Sequence, residues 1–97
     1  MEKPLQTWML CQASYYIEYM QPKKSIALLE ALESMTPEDP DVYRMLSYAY
    51  LQADQPEDSL RAADNFLRYT PPGSDVRAIN WIKGRALLKK RKSAVSN

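Results

Sequence analysis

The segment Ser25–Pro37, SIALLEALESMTP, is matched further along the chain by Ser59–Pro71, SLRAADNFLRYTP. The agreement is positional: serine, threonine and proline recur at the same places, and Pro22 and Pro56 precede the two segments by the same distance. The offset, about 34 residues, is the length of one helix–turn–helix unit in a solenoid. Such a unit cannot bury its apolar face alone and must stack on a neighbour. The repeat therefore predicts an all-α fold of stacked helix pairs.

Prolines divide the chain into five predicted helices, because proline is tolerated in the first turn of a helix and breaks its interior. The predicted helices run from about Pro4 to Met20, Pro22 to Met35, Pro40 to Ala53, Pro56 to Tyr69, and Ser74 or Asp75 to Lys90. We expect one domain over residues 1–92, comprising a repeat at about 6–39, a second at about 40–73 and a capping helix at about 74–91. Residues 93–97 are expected to fray.

Length and composition exclude several function classes. The chain has 97 residues, a net charge of +1, no histidine and one cysteine. Without histidine the usual general base and metal ligand are missing, so we expect no enzyme, no metal site and no cofactor. A charge near zero provides no field that attracts nucleic acid or an anionic membrane. We recognise no secretory signal and no run approaching the roughly 18 apolar residues of a membrane span. The single cysteine fits a reducing compartment.

The first and third helices are apolar around most of their circumference, which predicts that they are buried on all sides. Cys11, in the first of them, is accordingly predicted to be a small buried hydrophobic residue. The second and fourth helices are amphipathic. Each inner helix therefore keeps a second apolar face that this short chain is not expected to cover, and exposed apolar patches mark interaction sites.

The spacing resembles the tetratricopeptide repeat, whose motif prefers particular residues at positions 4, 7, 8, 11, 20, 24, 27 and 32. With Pro40 as position 1, these positions hold Tyr43, Leu46, Ser47, Tyr50, Ser59, Ala63, Phe66 and Pro71. With Gln6 as position 1, they hold Met9, Gln12, Ala13, Tyr16, Ser25, Leu29, Leu32 and Pro37. Small residues at positions 8 and 20 let the paired helices approach closely. Gln12 departs from the motif, and the sizes of Ala63 and Phe66 are exchanged.

The fifth helix resembles the first half of a third repeat. Ser74–Asp75–Val76 aligns with Pro40–Asp41–Val42 at the same offset as the two earlier copies. In this alignment Trp81 occupies a position where a small residue is expected, and Gly84 replaces a tyrosine. We therefore interpret this segment as a terminal capping helix.

The resemblance implies that each inner helix turns some residues toward a concave groove. These are Leu10, Ser14, Ile17, Glu18, Arg44, Tyr48, Leu51 and Gln52, with Ala78, Ile82 and Arg85 from the fifth helix. Apolar residues with a few polar points suit an amphipathic helix laid in the groove. The alternative is that these residues pack internally, because so short an array barely curves. The lysine and asparagine pattern of a peptide-carboxylate clamp is not present at these positions.

The fifth helix carries two further features. Its main apolar face is expected to comprise Val76, Ile79, Ile82, Ala86 and Leu87. Trp81 and Leu88 form a separate stripe, and Trp81 suits an anchor for a partner, with packing under the chain end as the alternative. The basic run of Lys83, Arg85 and residues 89–92 fits a solvated helix end that complements the helix dipole, and contact with RNA or an acidic partner is the alternative.

Very small tetratricopeptide proteins are characteristic of chaperones in bacterial type III secretion. The stretches LLEALESMTPED and NWIKGRALL are similar to the YscY-type chaperones, which hold the export component YscX, and less specifically to the YscG-type chaperones of the needle subunit. The resemblance implies a bacterial cytoplasmic chaperone that forms a heterodimer with a secreted client, with or without a co-chaperone. The rival hypotheses are a general scaffold module and a basic-tailed nucleic-acid adaptor.

The candidate partner-binding residues combine the groove with the tryptophan of the fifth helix. They are Leu10, Ser14, Ile17, Arg44, Tyr48, Leu51, Ile82 and Trp81. We expect them to hold a helix of the client, and we expect neither nucleic-acid binding nor stable insertion in a membrane.

Overall fold

A computed structural model describes residues 4–95 of the chain. It contains five α-helices: α1 Pro4–Glu18, α2 Pro22–Met35, α3 Pro40–Gln52, α4 Pro56–Tyr69 and α5 Arg77–Val95. The all-α prediction is confirmed, and no strand occurs in this range. The first four helices begin at the predicted prolines, because the N–H that proline lacks would have no partner in the first turn anyway.

The helices form two antiparallel pairs followed by a single helix. α1 packs on α2 and α3 on α4, joined by the short turns 19–21 and 53–55. α2 contacts α3 and α4 contacts α5, and the inner helices also contact directly, α1 with α3 and α3 with α5. Within residues 4–95, α2 and α4 do not approach each other within 8 Å between Cα atoms. The stack therefore turns α1, α3 and α5 toward one side.

The turns that end α1 and α3 share one backbone conformation and are separated by the same interval as the sequence repeat. Met20 and Asp54 both adopt left-handed conformations, with φ of 58° and 63°. The following N–H group, from Gln21 or Gln55, donates to the carbonyl five residues earlier at 2.7 or 2.9 Å. This bond closes a Schellman motif, which satisfies carbonyls at the helix end. The sequence repeat is thus a repeat of backbone geometry.

Buried serines join the two helices of each pair. The Ser25 hydroxyl donates to the carbonyl of Ala13 at 3.0 Å, and the Ser59 hydroxyl donates to the carbonyl of Ser47 at 2.7 Å. All four residues are 0% exposed. The small residues at positions 8 and 20 of the motif therefore lie where the two helices of a pair contact each other. The hydroxyl of each position-20 serine has a hydrogen-bond partner in the opposite helix.

The hydrophobic core runs through all five helices. Ala63 and Phe66, whose sizes are exchanged relative to the motif, both belong to it. The Tyr43 ring stacks on that of Tyr69, with their centroids 5.7 Å apart. The larger core side chains are Met9, Leu29, Leu32, Val42, Tyr43, Leu46, Tyr50, Leu51, Phe66, Ile79 and Ile82.

The fifth helix, predicted to align with the third, is displaced by two residues from that alignment. Asp75 accepts a hydrogen bond from the N–H of Arg77 at 3.0 Å, as Asp39 does from Asp41 at 3.0 Å. The interval between these two turns is therefore two residues longer than the period of the repeat. The same longer interval relates the buried residues of the two helices, Tyr43, Leu46 and Tyr50 in α3 to Ile79, Ile82 and Ala86 in α5.

The longer loop before α5 explains the displacement. It includes the Pro71–Pro72 pair and Gly73, whose φ of 85° suits glycine. α5 begins at Arg77 and extends to Val95, beyond the predicted end at Lys90. Of the tail for which we predict fraying, residues 96 and 97 lie outside the described residues. Leu87, predicted to belong to the main apolar face, is 50% exposed.

The prediction that α1 is buried on all sides is wrong. Only Met9 and Ala13 of this helix are buried. The cause is its terminal place in the stack, since α3 is enclosed by four helices whereas α1 contacts only α2 and α3. Several large side chains of α1 are consequently half exposed.

The buried hydrogen bond of Ser59 predicts that two substitutions of this residue lower the stability of the fold by different amounts. Ser59→Ala loses one buried hydrogen bond and should lower the free energy of unfolding by about 1 kcal/mol. Ser59→Leu also forces a larger side chain into the closed contact, and should cost about 3 kcal/mol or more. Urea denaturation followed by circular dichroism measures both values. Ser34→Leu, at an exposed site, is the control and should change stability by less than about 0.5 kcal/mol. Equal effects at Ser34 and Ser59 would contradict the packing argument.

Tyr50 predicts a loss of stability in alkaline solution. Its hydroxyl donates to Oε2 of Glu30 at 2.6 Å, and burial, together with this carboxylate, raises the pKa of the phenol above its usual value of 10.0. The folded state therefore favours the neutral phenol, and this stabilisation is present below pH 10 and is lost as the pH rises above it. Unfolding free energies measured from pH 8 to 11 should decline less steeply for Tyr50→Phe than for the unmodified chain. Parallel declines would refute this assignment.

Candidate binding cleft

The inner helices border an open cleft of about 420 Å³. Three helices build its walls, because each turns the side away from its outer partner toward the same space. The lining residues are Leu10, Cys11, Ser14 and Ile17 of α1, Arg44, Met45 and Tyr48 of α3, and Ala78 and Ile82 of α5. Most of these side chains are apolar, so the cleft can accept apolar groups and offers few hydrogen-bonding atoms.

Most of the residues predicted to face the groove lie in this wall. Six of the eight candidate partner-binding residues line the cleft: Leu10, Ser14, Ile17, Arg44, Tyr48 and Ile82. Ala78, also predicted to face the concave side, lines it too. The positional pattern of the repeat therefore brings these residues together in space.

Leu51 and Trp81 do not line the cleft. Leu51 is 7% exposed and belongs to the hydrophobic core, so the prediction that it faces a partner is wrong. Trp81 is 57% exposed, and the guanidinium of Arg85 lies 5.8 Å from the centre of its ring. This cation–π contact occurs on the surface of α5 outside the cleft.

Two lining residues escaped the sequence interpretation. Cys11 is exposed, which corrects the prediction that it is buried, and Met45 is half-buried beside it in the same cleft. Both occupy position 6 of their repeat, counting from Gln6 and Pro40. That shared position is the signal that could have identified them.

Polar side chains lie at the margins of the cleft. Nε2 of Gln52 donates to the carbonyl of Ile17 at 3.1 Å, which links the ends of α3 and α1. The guanidinium of Arg44 is half exposed and lies 3.6 Å from the carboxylate of Asp41. Arg44 can therefore meet an acidic group at the edge of an apolar ligand. Glu18 lies at the exposed C-terminal end of α1 and does not line the cleft.

A second, more polar cavity of about 460 Å³ borders the C-terminal half of α5. Its lining comprises Asp54, Pro56, Arg85, Leu88, Lys89, Lys92 and Ser93. Nζ of Lys89 donates to Oδ1 of Asp54 at 3.2 Å. Arg85, predicted to face the concave side, lies in this cavity and not in the apolar cleft.

Much of the basic run is paired with carboxylates of the preceding elements. Lys83 lies 2.9 Å from Asp64 and Lys90 lies 3.8 Å from Glu57, so both join α5 to α4. Lys89 makes the similar contact to Asp54 described above. These pairs give the C-terminal end of the stack a charged surface.

Comparison with protein-family models, with curated proteins and with solved structures gives no match. None of the helices between residues 4 and 95 is both long enough and apolar enough to cross a membrane. In the same range, no three His, Cys, Asp or Glu side chains converge as metal ligands would.

Exposure of Cys11 predicts rapid thiol labelling in the native protein. A small aromatic disulfide reagent should react with native and urea-unfolded chains at rates within about tenfold of each other, because no opening of the fold is required. Absorbance of the released thiolate measures both rates. Labelling that is slowed in proportion to the global stability would show that the thiol is buried.

Proposed function

We propose that the protein binds an amphipathic helix of another protein in the cleft lined by α1, α3 and α5. The observation that carries the proposal is a mostly apolar surface built from three successive inner helices. An amphipathic helix presents an apolar stripe of similar character, and binding in a groove buries that stripe. The volume of about 420 Å³ lies within the roughly 300–1,000 Å³ of ligand-binding clefts, which suits a few apolar side chains from one side of a helix.

The chemistry of the cleft supports binding and not catalysis. Its wall carries the hydroxyls of Ser14 and Tyr48 and the thiol of Cys11, and Arg44 is its charged residue. The lining residues include no histidine, lysine or carboxylate, the side chains that most often act as general bases. Affinity would come from burial of apolar area, and Arg44 would favour a carboxylate on the bound helix.

We further propose that the bound helix belongs to a client that is unstable alone, so that the protein acts as a chaperone. A partner that binds only the folded client stabilises it by mass action and keeps its apolar helix from aggregating. The resemblance to YscY-type chaperones supports a client from the type III secretion apparatus and a bacterial cytoplasmic setting. The complex would be a heterodimer, with or without a co-chaperone.

A charge placed in the cleft tests the binding site. Tyr48→Arg should reduce recovery of the client at least tenfold, because a cation would have to be buried against an apolar helix. Leu67→Arg is a matched control, since Tyr48 and Leu67 are each 37% exposed and Leu67 lies outside the cleft. The tagged chain is expressed in its organism of origin, and co-purified proteins are identified and quantified by mass spectrometry. Circular dichroism verifies that both variants remain folded.

The fate of the client separates a chaperone from a scaffold module. A client that is degraded or aggregates when expressed alone, and stays soluble with this protein, supports the chaperone. A client that is soluble and folded alone supports the scaffold. If every co-purified protein is still recovered with Tyr48→Arg, the cleft is rejected as the binding site. Equal losses in Tyr48→Arg and Leu67→Arg reject it as well.

A further inference from the structure

A stripe of large apolar side chains runs along the outer side of α1. Its members, called here the α1 stripe, are Leu5, Trp8, Tyr15 and Tyr19, which are 56%, 55%, 49% and 60% exposed. The rings of Tyr15 and Tyr19 lie 4.6 Å apart, so they form one aromatic patch. An exposed patch of this kind is typical of an interaction surface.

The α1 stripe faces away from Leu10 and Ile17, the larger α1 residues that line the cleft. At about 100° per residue, Trp8 and Tyr15 lie on the side of the helix opposite Leu10 and Ile17, which line the cleft. Cys11, at the edge of the cleft, borders the stripe because it lies three residues after Trp8 and four before Tyr15. A partner on the stripe would still leave the Leu10 and Ile17 side of the cleft open. We therefore expect the stripe and the cleft to bind two different partners.

The two ends of the stack differ in character. Repeat arrays need terminal units with polar outer faces, and the α5 end has ion pairs such as Lys83 with Asp64 and Lys90 with Glu57. The α1 end presents the aromatic stripe instead. Between Pro4 and Glu18 the only charged residue is Glu18. The α1 end therefore resembles an interface and the α5 end resembles a cap.

The spacing of the stripe fits helix–helix pairing. Leu5, Trp8, Gln12, Tyr15 and Tyr19 follow one another at intervals of three and four residues, which is the a/d spacing of a coiled-coil seam. Gln12 is the polar member and lies in the middle. A single polar residue at such a position commonly fixes the register of the pair.

We propose that α1 pairs with α1 of a second copy of this chain, antiparallel and about a twofold axis near Gln12. This arrangement brings Trp8 close to Tyr15 of the second copy and lets the two Gln12 amides hydrogen-bond. An uncharged stripe can face itself without repulsion between like charges. Glu18 of each copy comes near the N-terminal turn of the opposite helix, where the dipole favours an acidic residue.

The area of the stripe suits a weak dimer. Half-exposed aromatic side chains leave roughly 100 Å² each to be covered, since a whole aromatic side chain buries about 150–250 Å². With Leu5, which is 56% exposed, each copy would contribute about 400–500 Å² by this measure. The total of about 800–1,000 Å² lies at the lower limit of specific interfaces, where weak dimers are found. The dimer would leave two clefts free, one in each copy.

Measurement of mass in solution tests the interface. By sedimentation equilibrium at about 50 μM, which favours a dimer with a dissociation constant near 1 μM, the chain should show twice its 11.2 kDa mass. Trp8→Lys and Tyr15→Lys should be monomeric. Trp81→Lys is the matched control, because Trp81 is 57% exposed on α5, and it should remain dimeric. A monomeric unmodified chain, a dimeric Trp8→Lys or a monomeric Trp81→Lys would overturn the proposal.

Cross-linking tests the axis. In a Cys11→Ser background, Gln12→Cys should form a disulfide between copies on mild oxidation, because the two residues face each other across the axis. Ser14→Cys lines the cleft and should not. Equal cross-linking at both positions would contradict the arrangement. Neither result depends on a client, so failure of this proposal is distinguishable from failure of the cleft.

Discussion

Close approach of the two helices in each pair is the constraint on which the structure depends. Ser25 and Ser59 are fully buried, and each hydroxyl donates to a carbonyl of the facing helix. A larger side chain at either site would separate the pair, whereas a small apolar one would leave the contact closed and lose the bond. Because both pairs are joined in the same way, the inner helices stack on one side and the outer helices alternate on the other. The cleft results from that order.

The sequence was most informative where local chemistry determines the structure. Prolines fix the starts of α1 to α4, and the left-handed turns after α1 and α3 recur at the sequence period. Positions within the repeat also indicated most of the cleft wall. Leu51 was misassigned because its position in the repeat indicates which way the side chain points on the helix, but not which neighbouring helix covers it. The wrong register of α5 has a different cause. Two extra residues in the loop before α5 shift its alignment with α3, and this shift does not change the helical pattern of either segment.

The errors at α1 have a common physical origin. An apolar residue is buried only if another element reaches it, and no local pattern shows that α1 contacts just two helices. Cys11 and Trp8 are exposed for this reason, Cys11 at the edge of the cleft and Trp8 in the α1 stripe. We propose that one side serves a bound helix and the other a second copy of the chain. The same helix would then connect client binding with assembly.

Sharing of the cleft among three helices has a consequence for synthesis on the ribosome. Helices that contact each other are never more than two apart along the described part of the chain. The contacts are therefore local, and such chains fold quickly. The first pair can form while the C-terminal part is still being translated. The cleft is incomplete until α5 supplies Ala78 and Ile82. A helix bound as we propose would therefore find its full binding surface only after translation has reached the last helix, which would make capture a late event in the life of the nascent chain.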